Sequence, residues 1–369
     1  MPTVKKYLYP APALRAYMIR VLEAAGATSE DAAISADVLL SADLRGVESH
    51  GIIRLFPYYY QRLLDGLINP RPELRVVNET LATVALDGDN GLGHPTGYRA
   101  MQRCIEKAGQ SGAALVTVRN SNHYGIAGYY AMQALSHDML GLSFTNAASL
   151  VAPTYGSTAI LGTNPIAVAA PAGSQQPYVL DMATSIVPIG KVTVYQKAGL
   201  PIPYGWGIDS QGLVSTDPDK VFHGGALMPL GGTDEMRGYK GYGLALMVEI
   251  LSAVLAGAEF GRNVDADPHH QLSRIGHCFI AVRVDAFRPL EEFKRDMDAL
   301  IRQLKEAPKA VGQERIFIHG EKEFERAERA EREGVPVMAS VVEGLIADGE
   351  AAGVPFDLSP LGVREEFEA

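Results

Sequence analysis

Residues 94–146 read HPTGYRAMQRCIEKAGQSGAALVTVRNSNHYGIAGYYAMQALSHDMLGLSFTN, and they contain the clearest alternation of helix and strand patterns in the chain. An amphipathic helix pattern over residues 94–112 is followed by an apolar strand pattern over residues 113–118. A second helix pattern covers residues 128–138, and a second strand pattern covers residues 140–146. Because helices that alternate with apolar strands are typical of a sheet covered by helices, this stretch predicts an α/β core.

The chain before this core has a helical pattern. Residues 12–46 carry apolar residues at spacings of three and four, with Gly26 closing the first helix and Thr28 or Ser29 capping the second. Residues 48–60 belong to a third helical element. We therefore predict that the N-terminal part of the protein is helical.

The apolar pattern changes to a period of two beyond residue 75, which indicates strands. After the last apolar strand pattern, residues 278–287, the sequence returns to helix patterns, including the highly charged run of residues 320–334. We divide the chain into a helical N-terminal part (1–75), an α/β core (76–290) and C-terminal helices (291–369).

Composition excludes several classes of protein. The net charge is −10, from 43 acidic and 33 basic residues without a lysine-arginine block, which argues against a nucleic-acid partner. The most apolar stretch, residues 244–258, contains Glu249 and falls short of the roughly 20 residues that span a membrane. No export signal is evident, and Cys104 and Cys278 are too few for a disulfide framework. We expect a reduced cytoplasmic protein without a membrane partner.

The common cofactor and metal motifs are missing. The segment GLGHPTG has the spacing G-x-G-x-x-x-G, and no acidic residue follows about 20 positions on at a strand end, so a Rossmann domain is not expected. Motifs for phosphoryl transfer, zinc hydrolysis and α/β-hydrolases are also absent. His269 and His270 lack a third ligand at regular spacing, so we expect no metal site.

The segment ESHGIIRLFPYYY spaces His50, Arg54 and Tyr58 four residues apart, on one face if the segment is helical. A histidine can accept a hydroxyl proton, and an arginine can bind a carboxylate through two hydrogen bonds. The pattern therefore indicates a site for an acid whose neighbouring alcohol is oxidised. The alternative is a capped helix with a satisfied histidine and a surface arginine. In either case Pro57 removes a backbone hydrogen bond, so a kink can displace Tyr58 from this face.

Polar side chains follow two of the predicted strands. Asn122 and His123 come after the first, and Asn146 comes after the second. Ligands of open α/β sheets bind at the carboxyl ends of strands, so these residues are candidates for a binding site. Helix capping and turn formation are the alternatives, because asparagine often serves both purposes.

Two further segments are candidates for binding a ribose or a phosphate. In VLDMATS, Asp181, Thr184 and Ser185 leave an apolar strand. In RGYKGYG, Lys240 lies between glycines at the start of an apolar helix, where an anion is favoured. The alternatives are a turn in the first segment and an exposed lysine on a tight turn in the second.

The motifs ADLRGVESHGIIRL, NSNHYGIAGYYA, LGTNPIAVAAP, VLDMATS and RGYKGYGLALMVEIL occur in the order seen in one family. Over about residues 10–330 the sequence resembles the malate/L-lactate dehydrogenase family, which also contains sulfolactate, ureidoglycolate and diketogulonate enzymes and cyclic-imine reductases. The resemblance implies a homodimer with a nicotinamide-binding fold unlike the Rossmann fold. That fold is α/β with a mixed sheet, plus a helical domain built from the N-terminus and the C-terminus.

The resemblance also implies residues for the site. His50 and His123 are both candidates for the acid/base, with His50 ranked first, and Arg54 lies near the substrate. The residues that we expect at the substrate, from these motifs and the resemblance together, are Ser49, Arg54, Tyr58, Asn122 and Asn146. At an NAD or NADP cofactor we expect His123, and the resemblance implies Asp181, Met182, Ala183, Thr184, Ser185, Lys240, Gly241, His319, Gly320 and Glu321.

We therefore expect an NAD(P)-dependent oxidoreductase that interconverts a small 2-hydroxy acid and its 2-oxo acid, of malate or lactate type, by hydride transfer. Reduction of a cyclic imine or a keto sugar acid on the same scaffold is the alternative, and a non-catalytic anion-binding module is a remote one. The sequence leaves the substrate open. It also leaves NAD against NADP open, because the acidic residue that reads the ribose in Rossmann folds does not apply.

Overall fold

The computed structural model describes residues 3–265, 267 and 269–367. Its α-helices are α1 (Ala11–Ala24), α2 (Ser29–Leu44), α3 (Gln61–Leu64), α4 (Gly93–Ser111), α5 (Ala127–Gln133), α6 (Ile189–Lys197), α7 (Pro218–Phe222), α8 (Tyr239–Glu249), α9 (Leu290–Glu306), α10 (Glu321–Glu333) and α11 (Ala339–Ala351). Its strands are β1 (Thr3–Tyr9), β2 (Arg75–Glu79), β3 (Thr83–Asp87), β4 (Ala113–Ser121), β5 (Met139–Thr145), β6 (Ile166–Ala170), β7 (Tyr178–Met182), β8 (Gly207–Ile208), β9 (Val214–Ser215), β10 (Ala226–Leu227), β11 (Ile275–Arg283), β12 (Val335–Met338) and β13 (Gly362–Phe367).

The central sheet joins seven of the described strands in the order β2-β3-β4-β11-β5-β6-β7. The pair β3 and β4 is parallel and the other neighbouring pairs are antiparallel, so the sheet is mixed. Buried apolar side chains of β3, β4 and β11 pack against α4 and α5 and form the core of this region. The predicted α/β fold with a mixed sheet is confirmed.

Strand direction brings several loops to one edge of this sheet. Because β11 is antiparallel to both β4 and β5, these two strands point the same way. β7 points with them, because β6 is antiparallel to both β5 and β7. The carboxyl ends of β4, β5 and β7 therefore meet at one edge, which also holds the amino ends of β6 and β11.

A separate three-stranded sheet ties the two ends of the chain together. In it β1 lies between β12 and β13 and is antiparallel to both. Residues of β12 and α11 share one apolar core with residues of α1 and α2. Tyr17 of α1 and Leu345 of α11 are both buried in this core. The N-terminal part was predicted to be helical throughout, but Thr3–Tyr9 is a strand. Its partners come from the far end of the chain, so no local pattern reveals the pairing. The domain boundaries at residues 75 and 290 remain a prediction.

The segment between α2 and α3 is helical but is not the regular α-helix that the sequence predicts. It consists of 3₁₀ turns at Glu48–His50 and Ile52–Arg54, followed by a π-helical stretch at Leu55–Tyr60. Gly51, with φ −94° and ψ −148°, separates the two turns. The carboxylate of Asp43 accepts a hydrogen bond of 2.8 Å from the Ile52 backbone and occupies the space next to Gly51. This contact fixes where the segment turns toward the sheet.

The apolar helix α8 and the π-helical turn that continues it, Ile250–Val254, have one buried and one exposed face. Val248 is buried beside the sheet, within a cluster that includes Phe144 and Cys278. The exposed face carries Leu246, Met247, Ile250, Val254 and Leu255. No helix among the described residues combines the length and apolar character that crossing a bilayer requires. The exposed face is therefore an apolar patch on the surface of the chain.

Candidate active site

A cleft with a volume of about 780 Å³ lies at the sheet edge where β4, β5 and β7 end. The loops after these strands form one wall, and the segment after α2 together with the residues before α10 forms the other. This volume lies within the range of about 300 to 1,000 Å³ that is typical of small-molecule sites. The lining includes these residues expected from the sequence: Ser49, His50, Arg54, Tyr58, His123, Asp181, Met182, Ala183, His319 and Gly320.

Two histidines face each other in this cleft. The rings of His50 and His123 are stacked, with centroids 5.4 Å apart and planes inclined by 28°. His50 is supplied by the 3₁₀ turn before Gly51, and His123 by the loop after β4. The ring of Tyr58 lies edge-on to His123 at 5.6 Å. The structure thus brings together the two candidates for the acid/base.

Both histidines are neutral at physiological pH. Burial, followed by the positive charge of Arg54, lowers the pKa of His50 to about 4. Burial and the charge of Arg54 also lower the pKa of His123 well below its ordinary value. A neutral imidazole has one nitrogen that accepts a hydrogen bond and one that donates. The pair can therefore offer both an acceptor and a donor to a ligand.

Arg54 provides the positive charge beside these rings. Its Nε donates a hydrogen bond of 2.7 Å to the backbone carbonyl of Ser49, and its guanidinium carbon lies 6.0 Å from the centre of the Tyr58 ring. It forms no ion pair with any residue that the structure describes. A guanidinium without a counter-charge in a cleft is suited to binding a carboxylate.

A buried ion pair lies behind Tyr58. Arg62 lies 3.6 Å from Asp265, and both contact the hydroxyl of Ser273. The Tyr58 hydroxyl lies 3.5 Å from both Asp265 and Ser273. Burial, with the charge of Asp265, raises the pKa of Tyr58 to about 12, so the phenol keeps its proton. This cluster fixes the position of Tyr58 in the cleft wall.

Tyr59 is a contact of the site that the sequence analysis missed. Its hydroxyl lies 2.6 Å from Nδ1 of His123, and its ring lies 4.5 Å from that of the fully buried His94. The sequence places His50, Arg54 and Tyr58 on one face by assuming an α-helical period. The π-helical stretch changes that period, so which of the three consecutive tyrosines touches His123 is not evident from spacing.

The residues expected at a cofactor lie along the other half of the cleft. Asp181, at the end of β7, accepts a hydrogen bond of 2.7 Å from the backbone of Gly128 in the first turn of α5. Its carboxyl is reached by water through the cleft, yet the surrounding protein raises its pKa to about 6. Met182 and Ala183 follow it in the lining. A carboxylate in this position can accept hydrogen bonds from sugar hydroxyls.

His319 and Gly320 line the cleft directly before α10. The His319 carbonyl accepts a hydrogen bond of 3.0 Å from the Val179 backbone, which attaches this segment to β7. Gly320 has φ +97°, and a Cβ there would lie 2.9 Å from the Val179 side chain. Only glycine fits this position without displacement. Gly320 therefore lets this segment pack closely against β7, and both Gly320 and Asp181 line the cleft.

The two asparagines expected at the substrate lie beside the cleft and not in its lining. The amide nitrogen of Asn122 donates to Asn90 and to the Gly91 carbonyl at 2.8 Å. Asn146 donates to the Glu259 carbonyl at 2.9 Å and accepts from the Gly276 backbone at 2.9 Å. Both side chains are buried and connect loops at the sheet edge. Their contact with a substrate remains a prediction.

The remaining residues expected at the cofactor also lie outside the lining of this cleft. Thr184 is buried and donates to the Thr163 and Asn164 carbonyls, and Ser185 donates to the Val187 carbonyl. Lys240 is exposed at the start of α8, and Gly241 packs against Leu230. Glu321 is buried, pairs with Lys305 and Arg315, and accepts from the Ile318 backbone. Ligand contacts for these five residues remain predictions.

Several lining residues carried no recognised signal in the sequence. The cleft also contains charged groups, namely Arg45, Asp265, Lys322 and Glu323, and apolar groups, namely Ile126, Ala147, Ala148, Leu150, Pro165, Ile189 and Phe317. Arg45 is buried, with its guanidinium 4.6 Å from the centre of the Phe324 ring. Cations and apolar residues together suit the phosphates and flat rings of a dinucleotide. Among the described residues, no group of three or more His, Cys, Asp or Glu side chains could hold a metal ion.

Comparison with known proteins identifies relatives that match most of the chain. A family model described as malate/L-lactate dehydrogenase matches residues 9–346. The chain is 47% identical to a malate dehydrogenase of Pyrococcus abyssi over 94% of this chain and 95% of that one. It is 43% identical to an L-sulfolactate dehydrogenase of Methanocaldococcus jannaschii over 87% of this chain and 90% of that one.

A solved structure shares the fold. The malate dehydrogenase of Pyrococcus horikoshii superposes with a TM-score of 0.88 at 43% identity, over 95% of this chain and 96% of that one. The sequence resemblance is thus confirmed by a family model, by relatives over nearly the full length and by structure. The chain belongs to the malate/L-lactate dehydrogenase family.

Proposed function

We propose that the protein is an NAD(P)-dependent dehydrogenase that interconverts a small 2-hydroxy acid and its 2-oxo acid, with malate and oxaloacetate as the preferred pair. Membership in the family supports the reaction class. The choice of malate is supported by the names of the relatives from Pyrococcus abyssi and Pyrococcus horikoshii. The chemical part of the proposal rests on one observation, namely that Arg54 lies beside two neutral imidazoles in one cleft.

Arg54 would bind the substrate carboxylate. Its positive charge lowers the pKa of both His50 and His123, so the guanidinium lies close to both rings. A carboxylate bound there would place the neighbouring C2 hydroxyl next to the imidazoles. One of these rings would exchange the hydroxyl proton, which is the usual role of histidine in general acid–base catalysis.

The cofactor would occupy the half of the cleft that contains Asp181. The residues that would hold it are Asp181, Met182, Ala183, His319 and Gly320, all of which line the cleft. When bound, the nicotinamide supplies the hydride chemistry at C2. The protein contributes position, charge and a wall of apolar residues that limits access of water. Either NAD or NADP fits this proposal.

The proposed assembly is a homodimer formed through α8. The exposed apolar face of α8 and its continuation presents leucine, isoleucine, methionine and valine side chains to the surface. Contiguous apolar surface of this kind is typical of an interface between subunits. The thiols of Cys104 and Cys278 are free and buried, which agrees with the reducing cytoplasm that we propose as the location.

A spectrophotometric panel tests the function. Oxaloacetate, pyruvate, sulfopyruvate and a cyclic imine carboxylate would each be offered with NADH and with NADPH, and cofactor oxidation would be followed. We expect kcat/KM to be highest for oxaloacetate and at least about tenfold lower for the cyclic imine, a difference of about 1.4 kcal/mol in transition-state binding. If no 2-oxo acid oxidises either cofactor, and if the protein does not quench cofactor fluorescence, the result would instead indicate an anion-binding module.

A further inference from the structure

The phenol of Tyr59 contacts His123, one of the two stacked histidines. Tyr59 is fully buried, and its hydroxyl is 2.6 Å from Nδ1 of His123. Burial raises the pKa of this phenol far above its ordinary value, so it keeps its proton. Within the part of the chain that the structure describes, His123 is its only hydrogen-bonding partner. The hydroxyl therefore donates to Nδ1.

A second donor converges on the same nitrogen. The backbone N–H of Gly125 points to Nδ1 of His123 at a distance of 3.3 Å. Two donors can share one nitrogen only if that nitrogen carries a lone pair. The opposite tautomer would set two N–H groups against each other and leave the buried phenol proton of Tyr59 without an acceptor. In the neutral ring of His123 the proton therefore resides on Nε2.

His50 is not restricted in this way. Its Nδ1 lies 2.9 Å from the hydroxyl of Ser49, which is exposed and can either donate or accept. The proton of a neutral His50 can thus reside on either nitrogen, so this ring can take up a proton or release one. The two stacked histidines are unequal, although each lines the cleft beside Arg54.

On the basis of the proposed dehydrogenase activity, we propose that Tyr59 is a positioning residue, and that it gives the two histidines different roles in catalysis. It fixes His123 as a hydrogen-bond donor, through Nε2–H, to the oxygen on C2 of the substrate. His50 exchanges the proton: during oxidation the hydroxyl O–H bond breaks toward His50 as the C=O bond forms, and bound NAD(P)+ would accept the hydride of C2. In the reverse direction His50 returns the proton to the same oxygen.

Charged and titratable groups surround this pair on several sides. Arg54 affects the pKa of both rings, and His94 and His277, which burial keeps neutral, lie close enough to affect that of His123. The acids that share the cleft are Asp181, Asp265 and Glu323, and its other cations are Arg45 and Lys322. Of these, Arg54 has the largest effect on His50 and acts in the direction that keeps the ring neutral and able to accept a proton.

Glutamine substitutions separate the two roles, because the amide of glutamine can donate a hydrogen bond but is not a base. His50→Gln should lower kcat by about 10² to 10⁴-fold, the usual contribution of general acid–base catalysis. His123→Gln should retain the donor and lose less than about tenfold, whereas His123→Leu should lose about 10² to 10³-fold, as when an oxyanion donor is removed. An equal or deeper loss in His123→Gln than in His50→Gln would overturn the assignment.

Tyr59→Phe tests the positioning role through the tautomer of His123, which a change in stability alone does not alter. In protein labelled with ¹⁵N-histidine, the wild-type His123 ring should show the Nε2–H tautomer, and Tyr59→Phe should increase the Nδ1–H fraction and lower kcat with little change in KM. Tyr17→Phe is the matched control: it also removes a buried hydroxyl, bound to the Leu345 carbonyl, but lies in the terminal core. It should change neither readout.

The tautomer measurement also separates this inference from the proposed function, because it requires no substrate. A wild-type His123 protonated on Nδ1 would contradict the inference even if the enzyme oxidised malate. Nε2 protonation with no turnover of any 2-hydroxy acid would contradict the proposed function and remove the basis for the roles of the two histidines.

Discussion

The imidazole rings of His50 and His123 stack 5.4 Å apart, although one precedes the central sheet in the chain and the other follows β4. The stacking depends on strand direction, which sets the loop after β4 at the sheet edge, and on the turn at Gly51, which directs His50 toward that edge. Arg54 adds a positive charge that both rings experience. A carboxylate and a neighbouring hydroxyl would therefore meet suitable partners at one location.

Replacement of Arg54 by leucine should weaken substrate binding. Loss of a charge-assisted pair costs about 1.5 to 3 kcal/mol, so KM for the 2-oxo acid should rise about 10- to 100-fold. The Kd of the reduced cofactor, measured by fluorescence, should stay unchanged. Arg20→Leu, which removes a surface arginine paired with Asp357, is the control and should alter neither value. An unchanged KM in Arg54→Leu would exclude this arginine as the carboxylate anchor.

Asp181→Asn should weaken cofactor binding and remove its pH dependence. Desolvation by the surrounding cleft walls raises the pKa of this carboxyl to about 6, so the carboxylate form, which accepts hydrogen bonds from sugar hydroxyls, is lost as the pH falls through that value. We expect wild-type affinity for NADH or NADPH to decrease between pH 7.5 and pH 5, as followed by fluorescence titration. In Asp181→Asn the affinity should be lower at pH 7.5 and nearly constant. Parallel curves for the two proteins would argue against this role.

His94→Leu should make the protein relatively more stable in acid. Burial lowers the pKa of His94 to about 3, and neither ring nitrogen has a hydrogen-bonding partner among the described residues. Below pH 6.5 the unfolded chain binds a proton here that the folded protein does not, so wild-type stability falls as the pH decreases toward 3. The variant should gain about 2 kcal/mol relative to the wild type between pH 7.5 and pH 5. Urea denaturation at both pH values measures this difference, and a constant difference would refute the prediction.

Gly51→Ala should disturb both stability and turnover. A Cβ at this position would lie 1.8 Å from Oδ1 of Asp43, so the segment that carries His50 must shift. Overpacking of this kind costs about 1 to 3 kcal/mol of unfolding free energy. Gly109→Ala, on the exposed face of α4 with open space around it, should instead be neutral or stabilising by less than about 1 kcal/mol. Thermal melts and kcat of both variants test this prediction. If the two variants have the same Tm and the same kcat, the result would count against the Asp43 contact.

An acidic pair on α8 should separate the proposed dimer. Ile250→Asp together with Val254→Asp places two charges on the exposed apolar face, 50% and 58% exposed in the single chain. We expect sedimentation velocity to show two chains in the wild type and one in the double variant. Val311→Asp, at a fully exposed site, serves as the control and should remain dimeric. A wild type that sediments as a single chain would refute the proposed homodimer.

Local patterns in the sequence predict those parts of the fold that local physics determines. The helix and strand patterns of residues 94–146 correspond to α4, β4, α5 and β5. The cap of α2 also appears as predicted, because Thr28 accepts a hydrogen bond from the Asp31 backbone, and Gly26 closes α1 with φ +95°. Such features depend on residues that are close together in the chain, so they can be predicted from short stretches of sequence.

Features that depend on distant partners were not predictable. Strand β1 pairs only with strands from the other end of the chain. Asn146 occupies a strand end as expected, yet Gly276 and Glu259 draw its side chain away from the cleft lining. Tyr59 meets His123 because a π-helical stretch alters the helical period. In each case tertiary contacts set the direction of a side chain or a strand.

A crystal structure of the protein with reduced cofactor and oxamate, an unreactive analogue of a 2-oxo acid, measures the central relationship directly. We expect the oxamate carboxylate to lie within hydrogen-bonding distance of the Arg54 guanidinium, with the nicotinamide beside His50 and His123 and the cofactor next to Asp181. A carboxylate bound elsewhere, or a nicotinamide remote from the two histidines, would contradict this expectation.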